Sequence, residues 1–210
     1  NLFGTGVFSD ATDQVAGGSS ANTLAGVAVV GNAATAAQGV WQYSADGGAT
    51  WTAMATTLST SSTLLLKATD QVRFLPTADW NGTPGGLSVR LIDNSAGAVT
   101  TGAGPDLTSA TGGATVYSAA AVSLTTSVTA ANDAPTTAAV SVALASVTED
   151  ATPAGATVAS LFGAAFSDID GDALAGVAVT ANAATAAQGR WQYDAGSGWT
   201  DLPAVALTTP

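Results

Sequence analysis

The sequence predicts an all-β chain of tandem β-sandwich repeats, and two observations carry that expectation. One block recurs nearly unchanged, and the rest of the chain consists of short β-prone runs cut by Gly-, Asn- and Asp-rich turns. Leu24-Ala-Gly-Val-Ala-Val29 returns as Leu174 to Val179, Asn32 to Gly39 as Asn182 to Gly189, and Trp41-Gln-Tyr43 as Trp191 to Tyr193. Between positions 24–43 and 174–193, 17 of 20 residues are identical, at a period of about 150 residues. A period that long makes each copy an independent domain and not one turn of a solenoid. Residues 1–134 are therefore expected to form one repeat lacking its first strands, and 135–210 the first half of the next.

Taken in order, the elements read as strands and hairpins. Trp41 to Trp51 is a hairpin, because Asp46-Gly47-Gly48 supplies residues that tolerate positive φ. Thr63–Lys67 and Gln71–Leu75 are strands on either side of Ala68-Thr69-Asp70. Asp79-Trp-Asn-Gly-Thr83 signals a turn before the alternating Leu87-Ser-Val-Arg-Leu-Ile92. Thr115–Thr129 reads as one or two late strands, and Val140-Ser-Val-Ala-Leu144 as the strand that opens the second copy. The Ala-rich Asn32–Gln38 is compatible with a short helical turn between strands.

Composition narrows the chemistry. The chain has no His and no Cys, which excludes a Ser-His-Asp triad, a Cys-His pair, an ordinary zinc site and disulfide stapling within it. A net charge of −11 argues against nucleic acid and anionic membranes as partners. No apolar run approaches the roughly 18 residues a membrane span needs, and no charged segment precedes an apolar one as in a signal peptide. Between Arg90 and Arg190 there is no basic residue, yet that stretch holds Asp93, Asp106, Asp133, Glu149, Asp150, Asp168, Asp170 and Asp172. Acids without basic partners either spread through solvent or gather round a cation.

Three acidic motifs flank the expected boundary: Asn132-Asp133 before Ala134-Pro135, the pair Glu149-Asp150, and Asp168-Ile-Asp-Gly-Asp172. Pro135 holds Ala134 extended and makes a short, stiff junction. Alternating Asp residues bring carboxylates together while Gly permits the bend, which suits an ion that takes six to eight oxygens, Ca²⁺. The pattern is not an EF-hand, since no Glu stands at the twelfth loop position and no helices flank it. The competing reading is a solvated acidic turn.

With these residues in view, the sequence resembles the cadherin-like repeats of large bacterial adhesins of the RTX and biofilm-associated type. The resemblance covers essentially the whole chain. It rests on the Asn132-Asp133-Ala134-Pro135 junction, the Glu149-Asp150 pair and the Phe166-to-Asp172 run. Trp41-Gln-Tyr43 with Trp51, Asp79-Trp-Asn-Gly-Thr83 and Arg90-Leu-Ile-Asp-Asn94 add to it. It implies a Greek-key β-sandwich of the cadherin or immunoglobulin-like kind. It also implies secretion and display at the bacterial cell surface, and a non-enzymatic extender stiffened by Ca²⁺ between neighbouring repeats in cell adhesion and biofilm formation. By the same resemblance Asn132 and Asp133 are linker ligands, Glu149 and Asp150 cap the site, Asp168 and Asp170 form its alternating pair with Asp172 beside them, and Asp93 comes from the first copy. Copy one departs from the pattern: Asp10-Ala-Thr-Asp13 and Gly17-Gly-Ser-Ser20 break the spacing, so an equivalent site there is not expected.

Other classes stay in view. A glycan- or partner-binding module would present exposed aromatics or the Ser- and Thr-rich run 56–63. Trp41, Trp51, Trp191 and Trp199 are read instead as core, and Trp80 as the aromatic nearest a surface role. A carboxylate-pair glycosidase needs two acids roughly 5–9.5 Å apart in a cleft, for which junction acids beside Gly are poor candidates. Half a sandwich exposes strand edges, so residues 136–210 are expected to pair with another element, in cis or by domain swapping with a second chain.

Overall fold

The computed structural model describes residues 6–10 and 22–203. It divides into two compact units, Asn1–Asn132 and Asp133–Pro210. Almost everything regular in it is antiparallel β-structure, with one five-residue helix.

The first unit holds β1 (Leu24–Asn32), β2 (Gly39–Ser44), β3 (Thr52–Ala53), β4 (Leu64–Lys67), β5 (Gln71–Pro76), β6 (Leu87–Asp93), β7 (Gly102–Ala103) and β8 (Val122–Leu124). They make a five-stranded sheet in the order β7-β4-β1-β6-β8 and a three-stranded sheet in the order β3-β2-β5. β1 lies at the centre, with β4 and β6 antiparallel on its two sides. Its alternation explains the placement. Val27 and Val29 enter a core shared with Trp41 and Met54, beside Leu66, Leu87, Val89 and Leu91. Ala28, on the other side of the pleat, packs with Ile92 and Leu107 in a second cluster. A strand buried on both faces carries small and β-branched residues throughout and no polar stripe. Burying side chains such as Val29, Leu66 and Leu87 contributes about 1.5–3 kcal/mol each.

The two strands around Ala68-Thr69-Asp70 belong to different sheets: β4 pairs with β1, and β5 pairs with β2. The crossing is fastened by Asp70. Its carboxylate accepts from the Lys67 amide at 2.9 Å and from the Thr101 hydroxyl, and stands 3.5 Å from the Lys67 ammonium. The Trp41–Trp51 hairpin forms as expected. In its turn, Ser44 and Thr50 donate to Asp46, and these bonds hold the Asp46 carboxyl well below the usual carboxylate range.

The late region supplies one strand, β8, and two single bridges, Ile92 to Tyr117 and Gly82 to Val128. Thr35 to Gly39 closes one short turn, the Gln38 and Gly39 amides both donating to the Thr35 carbonyl. Other expectations fail. Among the described residues of the second unit, β9 (Thr136–Thr137), α1 (Val158–Phe162), β10 (Phe166–Ser167), β11 (Gln192–Asp194) and β12 (Trp199–Asp201) are the regular structure. Val140–Leu144 is not a strand there. Val140, Val142 and Leu144 are exposed, and an apolar run without a ladder partner has nothing to bury it. The helix was not foreseen: Thr157 caps it by accepting from the Ser160 amide at 3.1 Å.

The two copies nevertheless share their local structure. Asn32 donates from Nδ2 to the carbonyls of Met54 and Ala55, and Asn182 donates likewise to those of Leu202 and Pro203. In both copies the Asn carboxamide oxygen accepts from the amide two residues on, and the Gln of the turn accepts from the Thr amide. The ladders agree as well: Gln42 faces Ala53 and Tyr43 faces Thr52, while Gln192 faces Asp201 and Tyr193 faces Thr200. The second turn is two residues shorter and is closed by Asp194, which accepts from the Gly196 and Gly198 amides.

Candidate functional site

The acidic loop of the second unit is built by a two-residue ladder. Phe166 pairs with Thr137 and Ser167 with Thr136, which sets the loop that follows β10 beside the chain that precedes β9. The Thr136 hydroxyl donates to the Ser167 carbonyl at 3.2 Å. As a result the Asp133 amide reaches Asp170 Oδ2 at 2.7 Å. Within the loop, Asp168 Oδ1 accepts from the amides of Asp170 at 2.9 Å and Asp172 at 3.4 Å. Gly171 stands at φ 79°, a conformation other residues enter with strain, and its amide turns back to the Asp168 carbonyl. The D-x-D-G-D spacing thus makes a compact turn whose aspartates hold the backbone and each other.

The remaining members of the eight-residue set belong to other segments. Glu149 and Asp150 occupy an exposed turn closed by the Ala151 amide on the Thr148 carbonyl. Asp93 ends β6 in the first unit, where it accepts from the Ser95 amide and hydroxyl. Asn132 is the last residue of that unit. Among the described residues, no three acidic side chains stand close enough together to hold a metal ion. By donor chemistry the set suits a hard cation, being oxygen throughout with no basic residue between Arg90 and Arg190. By convergence, backbone amides join Asp133, Asp168, Asp170 and Asp172 within the second unit. Of the first copy's acidic loop only Asp10 is described; Asp13 and Gly17–Ser20 lie outside the described residues.

The aromatic residues divide. Trp41 is core, donates from Nε1 to the Gly85 carbonyl at 2.8 Å, and meets Phe74 edge-on at 5.3 Å. Trp51 is half-buried under the Arg73 guanidinium, 3.9 Å from the ring centre. Trp80 packs its edge on Phe74 at 6.1 Å. The core reading fails for Trp191 and Trp199, which are exposed because no second sheet covers their hairpin. The Ser- and Thr-rich run is no flat face: Ser59 and Ser62 bond each other's backbones in a tight turn. Two open depressions in the first unit, of about 440 and 240 Å³, are lined by residues such as Lys67 and Asn94 in one and Asn32 and Trp41 in the other. Neither lining includes a carboxylate.

Reading the sequence missed two groups that matter. Asp70 carries no signal in the sequence beyond its place in the short crossing Ala68–Asp70. Asn32 and Asn182 stand in the sequence only as part of the repeat, and their recurrence is the signal of a shared structural role. No family model, curated protein or solved structure matches the chain.

Proposed function

We propose that this chain is a structural extender segment of a bacterial cell-surface adhesin, secreted and non-enzymatic, whose repeat junction is stiffened by Ca²⁺. The observation that carries the reading is the repeat itself, with its boundary at Asn132/Asp133 and the first residue of the second unit tied to the acidic loop through Asp170. A five-stranded and a three-stranded antiparallel sheet sharing one core support the finer reading of the first unit as a Greek-key, cadherin-like sandwich. Among the described residues no helix is long and apolar enough to cross a membrane.

In this proposal Asp133, Asp168 and Asp170, which do not converge as a side-chain cluster in this structure, close on the ion as it binds, and Glu149, Asp150, Asp172, Asn132 and Asp93 are the other candidate ligands. When bound, Ca²⁺ supplies the positive charge that this base-free stretch lacks. The β9–β10 ladder and the Asp133–Asp170 bond support this reading, in which neutralising the loop stiffens the linker with it. Small-angle scattering of the chain should show a longer maximum dimension and a narrower spread of shapes in calcium than in chelator. Identical profiles would remove the extender role. A second reading, a glycan- or partner-binding module, is favoured by Trp191, Tyr193 and Trp199 exposed on one hairpin. A glycan array on the chain and on Trp199→Ala decides it.

A further inference from the structure

Asn81 is followed by Gly82, the one Asn-Gly pair in the sequence. Both residues are exposed, in the turn between β5 and β6. Glycine has a backbone reason to be there, since Gly82 stands at φ 119°, where other side chains are strained. Asparagine at 81 has no such reason. Among the described residues its carboxamide makes no hydrogen bond, whereas those of Asn32, Asn94 and Asn182 each accept from a backbone amide.

An Asn-Gly pair carries a reaction within itself. The glycine amide nitrogen attacks the asparagine Cγ, because no Cβ on the following residue stands in the way. The new N–Cγ bond closes a five-membered succinimide, and the side-chain nitrogen leaves as ammonia with the amide proton. Water then adds to either ring carbonyl and reopens the ring. The product is aspartate, or isoaspartate, whose main chain runs through one extra methylene.

In this structure the attacking nitrogen is occupied. The Gly82 amide donates to the Val128 carbonyl at 2.9 Å, and the Val128 amide donates back to the Gly82 carbonyl at 2.8 Å. That pair of bonds must open before the nitrogen turns on Cγ, since a hydrogen bond holds its donor in line with the acceptor. Val128 lies between β8 and Asn132, the last residue of the unit, so the bridge ties this closing stretch to the turn. On its other side the turn is braced by Trp80, whose amide donates to the Thr77 carbonyl at 3.2 Å and whose ring meets Phe74 at 6.1 Å.

We propose that Asn81 is a latent self-modification site gated by the Gly82–Val128 bridge. With the bridge closed, the Gly82 nitrogen is held and the carboxamide persists. When the stretch after β8 lifts away, the nitrogen is freed and position 81 converts to aspartate and isoaspartate. The change is one-way. It adds a negative charge two residues from Asp79, and the extra methylene moves Gly82 out of the register in which it met Val128. The site therefore records that the end of the unit has opened, and keeps it open. The inference rests on the first unit alone and depends neither on calcium nor on the extender reading.

The test ages the full chain at mildly alkaline pH and follows the amide-to-acid mass shift at position 81 by peptide mapping. A synthetic peptide of residues 77–84 serves as the freely open reference. The chain should convert at least about tenfold more slowly than the peptide. Val128→Pro removes the amide that donates to Gly82 and should speed conversion about tenfold or more, while hydrogen exchange in β1 stays slow. Adding Asn81→Gln to Val128→Pro should abolish the shift, because the longer side chain does not close the five-membered ring. In the converted fraction of the parent chain the Val128 amide should exchange faster than before ageing. Conversion of the parent chain at the rate of the peptide overturns the proposal, and so does an equal rate in the parent chain and a folded Val128→Pro. If Val128→Pro loses the slow exchange of β1, the comparison of parent chain with peptide decides alone. Unchanged Val128 exchange in the converted fraction overturns the one-way step.

Discussion

The backbone N–H of Asp133 donates a 2.7 Å hydrogen bond to Oδ2 of Asp170, tying the first residue of the second unit to the middle of its acidic loop. If the loop takes up calcium, ligand bound only by the folded state raises stability, by about 2.7 kcal/mol at a hundredfold excess over Kd. Asp168→Ala and Asp170→Ala should therefore remove most of the calcium-dependent rise in Tm, and Asp10→Ala should leave it. Mg²⁺ should do less, since it dehydrates reluctantly and demands a rigid octahedral site. Equal melting in calcium and chelator would refute metal binding here.

Asp70 sets up a contrast with Lys67. The Asp70 side chain is 1% exposed and that of Lys67 40%. Asp70→Ala leaves the Lys67 amide and the Thr101 hydroxyl unanswered at the crossing between sheets, and should cost about 2–3 kcal/mol in urea unfolding. Lys67→Ala removes a half-solvated partner at 3.5 Å and should cost less than about 1 kcal/mol.

Trp41 and Trp191 are the same residue of the same repeat in different surroundings. Trp41→Ala should destabilise the first unit by about 3–5 kcal/mol, the usual range for emptying a large buried site. Trp191→Ala should change the unfolding of the chain by less than about 0.5 kcal/mol. Denaturant titration of both variants checks the pair.

The hairpin turn should respond to acid. Hydrogen bonds from Ser44 and Thr50 hold the Asp46 carboxyl below its ordinary value of 3.8. A carboxyl lowered in the folded state contributes stability that is complete above the unfolded value and fades as pH falls below it. Asp46→Ala should thus lower Tm at pH 7, and the gap to the parent chain should narrow as pH drops through about 4 toward 2. A gap that stays constant over that range would show that the turn is held without its charge.

Asn32→Ala strips two carbonyls of a donor beside the core and should cost about 1–3 kcal/mol. Asn182→Ala removes the same bonds where water reaches, and should cost a fraction of that. Thermal unfolding followed separately in the two units compares them.

What could be read directly was local. The Trp41–Trp51 hairpin, the β6 alternation and the acidic loop all depend on residues within about twenty positions of each other, and the repeat is a match of such short blocks about 150 residues apart. The bonds of Asn32 and Asn182 show that such contacts form in either copy whether or not a core exists. Sheet membership was not readable. Gln71–Pro76 looks like the natural partner of Leu64–Lys67 across a three-residue turn, but each pairs with a strand of the other's opposite sheet. That choice rests on which faces meet around Trp41 and Val29, and no short window contains both. Convergence of the acids was also beyond reach: the spacing of Asp168, Asp170 and Asp172 shapes a turn, and the ladder of Thr136 with Ser167 brings in Asp133. Burial is the sharpest case. The same Leu-Ala-Gly-Val-Ala-Val is a central strand at 24–29 and bare chain at 174–179, because a strand's own residues supply the pattern while its neighbours supply the hydrogen bonds and the exclusion of water.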